Sequence, residues 1–347
     1  MSTAPSRVLI TGVSRYLGGR LAALLTADPS IERVIGVDTV PPHGDLGRAE
    51  FVRADIRNPL IAKVIAEEQV DTVLHMNVVA TPFGAGGRTA MKEINVIGTM
   101  QLLAACQKGP SVRKLIVKST TAVYGSSSQD PGLFTEEMEP RSAPRSGFGK
   151  DAVEVEGYVR GFGRRRPDVA LSVLRFTNFI GPTIDSLLTR YFSLPVVPTV
   201  LGFDPRLQLC HEDDGVEVLH RATVEEHPGT FNVGGDGVLL LSQAVRRCGK
   251  LALPIPSPAV AGVGQLLRRA GVVDVSPEQL RFLNHGRAVD TTKLAAAFGD
   301  PLRWSSRAAL DDFVAGRPVH RTVDPATARR VERGAVDLVT RWRGAHA

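Results

Sequence analysis

Cysteine is scarce in this chain: three residues in 347, at positions 106, 210 and 248. An odd number at such wide spacing has neither a disulfide nor a metal-ligand rhythm, which excludes a cysteine-stapled scaffold. Long hydrophobic runs are missing too. The longest apolar stretches, such as VDTVLHMNVVA over 70–80, are short and interrupted, so membrane insertion is not expected. The opening MSTAPSRVLITG passes straight into a strand pattern, without the graded regions of a signal peptide. Neither an internal repeat nor a low-complexity tract is present, and a mean hydropathy near zero excludes a disordered chain. These absences together give the expectation of a reduced, cytoplasmic protein.

Lysine is also sparse. Of 42 basic residues only eight are lysine and 34 are arginine, and against 36 acidic residues the net charge is +6. A basic balance points to nucleic acid, a membrane surface or anionic small molecules. The arginines are spread along the chain, with the densest run at Arg164-Arg165-Arg166 after a helical segment. The pattern reads as a solvated surface with anion-binding pockets; a nucleic-acid partner is not expected.

What is present is an alternation. RVLITG, RVIGVD, AEFVRAD, DTVLHMN, KLIVKST and ALSVLRFTN read as strands. Between them LGGRLAALLTA, PLIAKVIAEEQ, MKEINVIGTMQLLAACQ and KDAVEVEGYVRGFG have helical spacing. Parallel neighbours need crossover connections, and strands buried on both faces are continuously apolar. The expected fold is therefore α/β, a doubly wound parallel (Rossmann) sheet with a smaller C-terminal substrate lobe. The dinucleotide-binding domain is placed at 1–182, with 205–250 partly returning to it, and the smaller lobe with a C-terminal helix at 183–347. After Pro182 the rhythm breaks: LPVVPTVLGFDP is Pro/Gly-rich, GTFNVGG resembles one more strand, and LPIPSPAVAGVG reads as a loop-like connector. TARRVERGAVDLVTRWRG reads as an amphipathic helix packed on the surface.

The first strand runs into Thr11-Gly12-Val13-Ser14-Arg15-Tyr16-Leu17-Gly18-Gly19. Strand, glycine turn and helix place a pyrophosphate over a helix N-terminus, where free N–H groups and the dipole receive it. Asp38 ends the second strand, where a carboxylate accepts hydrogen bonds from an adenosine ribose and repels a 2′-phosphate. The cofactor this selects is NAD rather than NADP.

On these residues the chain resembles the extended short-chain dehydrogenase/reductase family, in its NAD-dependent nucleotide-sugar epimerase/dehydratase branch typified by UDP-glucose 4-epimerase. The family's TGxxGxxG reads TGVSRYLG here: Gly12 and Gly18 are kept, and Arg15 replaces the middle glycine. That glycine lets backbone approach the pyrophosphate, so Arg15 swings outward, contacts a phosphate or narrows the site, and cofactor binding turns on which. Further along, Asp55-Ile56 resembles the family's pair near the adenine, and His75-Met76-Asn77 its His-Leu-Ala. Asn95 in EINVIGT matches the family's helix asparagine, and STTAVYG its strand-five motif, which puts Thr120 at the catalytic Ser/Thr position. RFTNFIGP puts Asn178 at a substrate contact, His211 and Asp214 match a His-x-x-Asp stretch, and AVDTTKL loosely matches a late Asp-x-x-Lys segment.

One element of the resemblance is missing. The family's chemistry belongs to a Tyr-x-x-x-Lys pair, in which the tyrosine is acid or base on a substrate hydroxyl and the lysine holds the nicotinamide ribose. Tyr16, Tyr124, Tyr158 and Tyr191 are followed at the fourth position by Arg20, Ser128, Phe162 and Pro195. Lys150, with Glu154 four residues on, reads as the family's lysine, and Ser146 then stands where the tyrosine belongs. A serine hydroxyl is a weaker acid with a shorter reach. Phe148 is close by without a hydroxyl.

Lys118 shares a strand face with Thr120, so it either meets phosphate or ribose, acts as a base, or snorkels to an edge. His75 reads as a satisfied packing residue, Arg175 as a strand anchor, and Ser126-Ser127-Ser128 as an exposed loop. His211, Glu212, Asp213 and Asp214 are adjacent in a turn and are not expected to hold a metal.

Two functions stay open. One is an NAD-dependent enzyme acting at a sugar carbon by transient hydride transfer. In it Thr120 orients the sugar hydroxyl, Lys150 the nicotinamide ribose and Asn178 the substrate nucleotide, with Gly12, Arg15, Tyr16, Leu17, Gly18, Asp38, Asp55, Ile56, Asn95 and Lys118 around the cofactor. The other is a catalytically reduced family member that reads a nucleotide sugar or related anionic small molecule as a binding or regulatory protein. The resemblance also implies a homodimer.

Overall fold

The computed structural model describes residues 6–76, 79–80, 86–269 and 277–317. Asn77 and the C-terminal helix expected over 327–344 lie outside the described residues. Strands β1 (Arg7–Thr11), β2 (Arg33–Asp38), β3 (Glu50–Arg53), β4 (Thr72–His75), β5 (Lys114–Thr120) and β6 (Ala170–Phe176) open the fold. Short strands follow: β7 (Asn178–Ile180), β8 (Val196–Val200), β9 (Arg206–Leu207), β10 (Leu209–His211), β11 (Gly229–Val233), β12 (Leu239–Leu240), β13 (Leu251–Ile255) and β14 (Gly286–Arg287). The helices of the first half are α1 (Tyr16–Ala27), α2 (Leu60–Glu67), α3 (Arg88–Lys92), α4 (Gly98–Lys108) and α5 (Gly147–Arg165). The rest are α6 (Leu187–Ser193), α7 (Glu212–Val224), α8 (Leu241–Arg247), α9 (Ser257–Arg269), α10 (Pro277–His285), α11 (Thr292–Phe298) and α12 (Ser306–Gly316). No helix among the described residues is long and apolar enough to cross a membrane.

The central sheet has seven strands in the order β11-β6-β5-β4-β1-β2-β3, and every pairing is parallel. Side chains alternate across it, so each strand feeds two cores. Val8, Ile10, Leu74, Ile116 and Leu174 pack with α1 and α7. Leu9, Ile35, Val73, Leu115 and Val117 pack with α2, α4 and α5. The strand order reverses between β1 and β4, and a crevice opens there at the carboxyl ends of the strands, where doubly wound sheets bind ligands.

A buried ion pair ties α5 to the sheet. Arg175 on β6 lies 2.6 Å from Glu156 on α5, with side chains only 10% and 5% exposed. Ser119 on β5 donates to the same carboxylate at 2.6 Å. Arg175 also donates to the Tyr124 hydroxyl at 2.7 Å, and Tyr124 donates to Asn232 on β11 at 2.9 Å. Burial works against the Arg175 charge, yet the bond and charge of Glu156 hold its pKa above the ordinary guanidinium value. The anchoring role expected of Arg175 is the one the structure shows.

Three local readings are corrected. LPIPSPAVAGVG is no loop: its first residues belong to β13, which pairs parallel with β8, and α9 begins at Ser257. Proline lacks an N–H, but Pro198 and Pro254 sit in a two-stranded sheet and Pro258 in a first helical turn, where none is needed. The helix expected over 91–107 is interrupted by a π turn at Glu93–Ile97. Asn95 inside it accepts from the Val79 N–H at 2.7 Å and donates to the Val79 carbonyl at 2.9 Å, holding the segment after β4. ALSVLRFTN splits at Thr177, because β7 leaves the main sheet to pair with β10.

Removing one member of a buried ion pair leaves the other charge stranded. Glu156→Ala is expected to lower unfolding stability by about 3–5 kcal/mol, read from urea denaturation curves.

Candidate functional site

The turn after β1 is built on two glycines. Gly12 has φ +76°, a left-handed conformation that favours glycine, and its N–H donates to Val37 at 2.9 Å. At Gly18 an added Cβ would lie 2.3 Å from the Gly12 carbonyl oxygen, so only glycine lets α1 start this close to β1. Between them Arg15 is the N-cap of α1 in an extended conformation. Its side chain is exposed and makes no hydrogen bond or ion pair among the described residues.

Beside the turn, Asp38 is buried at the end of β2 and accepts from the Ser14 N–H at 3.2 Å and the Thr39 N–H at 2.7 Å. The Thr39 hydroxyl also donates to it at 3.4 Å, so three acceptor positions of roughly four are used and one remains for a ligand hydroxyl. Tyr16 turns away from the crevice: its hydroxyl donates to Glu212 on α7 at 2.8 Å and accepts from Arg20 at 3.1 Å. Burial and the Glu212 bond raise its pKa. Leu17 is core. Asp55 is gripped by Arg57 at 2.6 Å, a bond that lowers its pKa, and Ile56 is buried against Gly98.

At the end of β5, Thr120 accepts from the Ala122 N–H at 3.2 Å and caps the 3-10 turn Thr121–Tyr124. Lys118 is half-buried, with its ammonium 5.8 Å from the centre of the Phe179 ring. Burial first, then the Arg15 charge, press its pKa down to about 8, while Cys210 acts in the opposite sense. His75 is satisfied on both ring nitrogens, by Thr11 at 3.0 Å and Thr99 at 2.8 Å. Asn178 lies on β7, paired with Leu209.

Helix α5 presents a face that its sequence alone does not reveal. Ser146 is its N-cap, exposed and without a capping bond, and Lys150 is exposed with its ammonium 3.8 Å from Glu154. The buried glutamate is Glu156, not Glu154. Four residues before it stands Ala152, packed in a cluster with Val123, Tyr124, Phe134 and Val289 beside the β5 motif. Phe148 lies four residues earlier on the same stripe. With Glu156 as the reference glutamate, the tyrosine and lysine positions of the resemblance fall on Phe148 and Ala152. Neither side chain ionises.

Next to this stripe is a pair that no spacing signalled. The Asp151 carboxylate is fully buried and takes both terminal nitrogens of Arg88 at 2.6 Å, with Asn95 donating at 3.3 Å. The 63-residue separation of Arg88 and Asp151 hides it from any local pattern. The acidic turn is equally occupied. His211 lies 3.1 Å from Asp312 and stacks on Trp304, Asp214 accepts from the Arg303 and Trp304 N–H groups at 3.0 Å, and Glu212 accepts from Ile184 at 2.6 Å. Among the described residues no group of three or more His, Cys, Asp or Glu is placed to hold a metal ion.

A doubly wound sheet with a glycine turn and an acid at the end of its second strand is the architecture of dinucleotide-binding folds. The model of the NAD dependent epimerase/dehydratase family matches residues 8–234, and the chain belongs to that family. An uncharacterized protein of Mycobacterium tuberculosis is 48% identical over 342 residues, covering 97% of this chain and 91% of that one. Two solved structures share the fold. UDP-glucose 4-epimerase of Thermotoga maritima, with UDP-glucose, has a TM-score of 0.70 at 19% identity over 89% of this chain and 98% of that one. UDP-glucuronic acid 4-epimerase of Bacillus cereus, with UDP-glucuronic acid and NAD, has a TM-score of 0.69 at 19% identity and the same coverage.

Burial, and then the Lys118 charge, lower the His75 pKa from 6.5 to about 4. The unfolded chain takes up this proton first as pH falls. The contribution is therefore complete above the unfolded value and is lost progressively down to the folded one, about 3 kcal/mol in all. His75→Gln is expected to flatten the stability–pH profile across that window, measured by urea unfolding at stepped pH.

Proposed function

We propose that the protein holds NAD across the carboxyl edge of the sheet and a nucleotide sugar against the smaller lobe, and acts at a sugar carbon by transient oxidation. The observation that carries this is the turn itself: Gly12 at positive φ, Gly18 with no room for a Cβ, and Asp38 at the end of β2 with acceptor capacity left. Those residues fit a dinucleotide. NAD, when bound, supplies a hydride acceptor.

In this reading Asp38 accepts from the adenosine ribose and disfavours a 2′-phosphate, which selects NAD over NADP. Asp55 and Ile56 flank the adenine, Thr120 orients the sugar hydroxyl, and Asn178 meets the substrate nucleotide. Three buried free cysteines support a reducing, cytoplasmic setting. Exposed Ile97 and Met100, at the start of α4, and Tyr158 on the adjacent α5 support pairing with a second copy.

A second reading is favoured by one observation, the Phe148/Ala152 stripe. With no phenol and no ammonium there, a family member that binds its nucleotides without the redox step is the alternative. Released NAD, detected by absorbance and mass spectrometry after denaturation, tests the first half of the proposal. Interconversion of UDP-glucose and UDP-galactose by wild type and by the Phe148→Tyr/Ala152→Lys double variant tests the second. The double variant is expected to exceed wild type by about a hundredfold or more, the usual worth of a placed acid–base group. Turnover by the wild type eliminates the binding-only reading, and no NAD uptake at millimolar concentration eliminates the enzyme.

A further inference from the structure

Several arginines near the sheet have an acid: Arg7 has Glu32, Arg20 has Asp213, Arg33 has Glu50 and Glu68, and Arg57 has Asp55. Arg15 and Lys118 do not. Arg15 stands in the β1–α1 turn with an exposed, unpartnered guanidinium among the described residues. Lys118 stands on β5, two residues before Thr120 and so on the same face. Its neighbour Ser119 points the other way, to Glu156. The side chain of Lys118 is half-buried, and it too has no hydrogen bond or ion pair among the described residues.

The groups around Lys118 supply no counter-ion. The Phe179 ring on β7 lies 5.8 Å from its ammonium. His75 on β4 is neutral, with both nitrogens engaged by threonine hydroxyls. Burial pushes the Cys210 thiol on β10 well above its ordinary pKa, so it stays protonated. Asp38 turns its oxygens to the N–H groups of Ser14 and Thr39. The register Thr11–His75–Val117 across β1, β4 and β5 brings the β1–α1 turn that carries Arg15 and the residue after Val117, Lys118, to the same carboxyl edge of the sheet, and the Arg15 charge adds to burial in lowering the Lys118 pKa. Two cations from different elements thus stand at one edge of the sheet, near the N-terminus of α1, without an acid paired to either among the described residues.

We propose that Arg15 and Lys118 together seat the diphosphate of a bound nucleotide, replacing by charge the close backbone approach that a glycine at position 15 would allow. This rests on the nucleotide-binding reading above. A diphosphate carries two negative charges and several acceptor oxygens. It matches a guanidinium and an ammonium supplied by two elements at one edge of the sheet. Both NAD and a nucleotide sugar offer that chemistry.

The test is calorimetric titration of NAD, UDP and inorganic pyrophosphate into wild type, Arg15→Gln, Arg15→Lys, Lys118→Met and Lys118→Arg, at pH about 7 and about 10. The Gln and Met variants are expected to lose affinity about tenfold or more, and the charge-preserving Lys and Arg variants to keep most of it. Wild-type affinity should fall as pH rises through about 8, where Lys118 loses its proton, and Lys118→Met should show no such step. Arg15 is exposed, so Arg15→Gln carries the test even where Lys118→Met folds poorly. Loss confined to NAD assigns the diphosphate to the cofactor, and loss confined to UDP assigns it to the substrate. Unchanged affinities in both neutral variants overturn the inference and leave NAD binding standing. Pyrophosphate binding that needs both cations, with neither nucleotide bound, overturns the nucleotide reading and with it the inference that the diphosphate belongs to a nucleotide. Binding of none of the three overturns both.

Discussion

The contact between Glu156 and Arg175 decides what the rest of the crevice can be. A charge pair buried to this degree is held only in one geometry, because displacement would strand either charge in the core. Its oxygens and nitrogens are shared with Ser119, Tyr124 and, through Tyr124, Asn232, so β5, β6, β11 and α5 are fixed by one network. A helix pinned at one residue is pinned in rotation. Once Glu156 faces the sheet, Ala152 and Phe148 face the end of β5, and Lys150 is carried outward to Glu154.

This explains what could and could not be read from the chain. The strands KLIVKST and RVIGVD were legible to the residue, because a strand buried on both faces is apolar throughout and its ends are polar. The glycine turn and Asp38 were legible because backbone conformation and close approach demand particular residue types. The face of α5 was not. Glu154 and Glu156 are both helical acids, and a two-residue change of reference turns the helix by about 200°. Arg175, nineteen residues on, and Ser119 on β5 distinguish them. The Pro-containing strands β8 and β13 were hidden for a different reason. A breaker signal assumes that every N–H is needed, and an edge pairing does not need them all.

The charge balance divides along the same line. Arginine dominates the basic residues, and on the outside of the sheet several of them are paired with nearby acids, in exposed or half-buried pairs that each contribute little to stability. At the carboxyl edge the arrangement is opposite. Among the described residues Arg15 and Lys118 have no acid there and Asp38 has no cation, so the edge keeps unmatched charge of both signs beside the β1 turn. Stability favours neither choice, and a ligand with an anionic middle and a hydroxylated end satisfies both.

The same opposition applies at the start of α5, where the family's reactive pair would stand. Gly147 has φ +70° and Ser146 offers no capping bond, so the first turn has little intrinsic hold. Arg88 supplies it from α3, donating to the Gly147 carbonyl at 3.1 Å while both terminal nitrogens engage Asp151. The clamp faces the π turn, through Asn95, rather than the crevice. A helix start held from behind frees its front from any duty of holding itself in place. The residues at the front are then the Ala152 methyl group, packed with Tyr124, and the half-buried Phe148, neither of which takes or gives a proton. The scaffold under α5 is fixed by buried charge, and the residues at its front are apolar. That separation between a scaffold fixed by buried charge and a surface free to vary is why family membership and reaction chemistry are distinct questions for this chain.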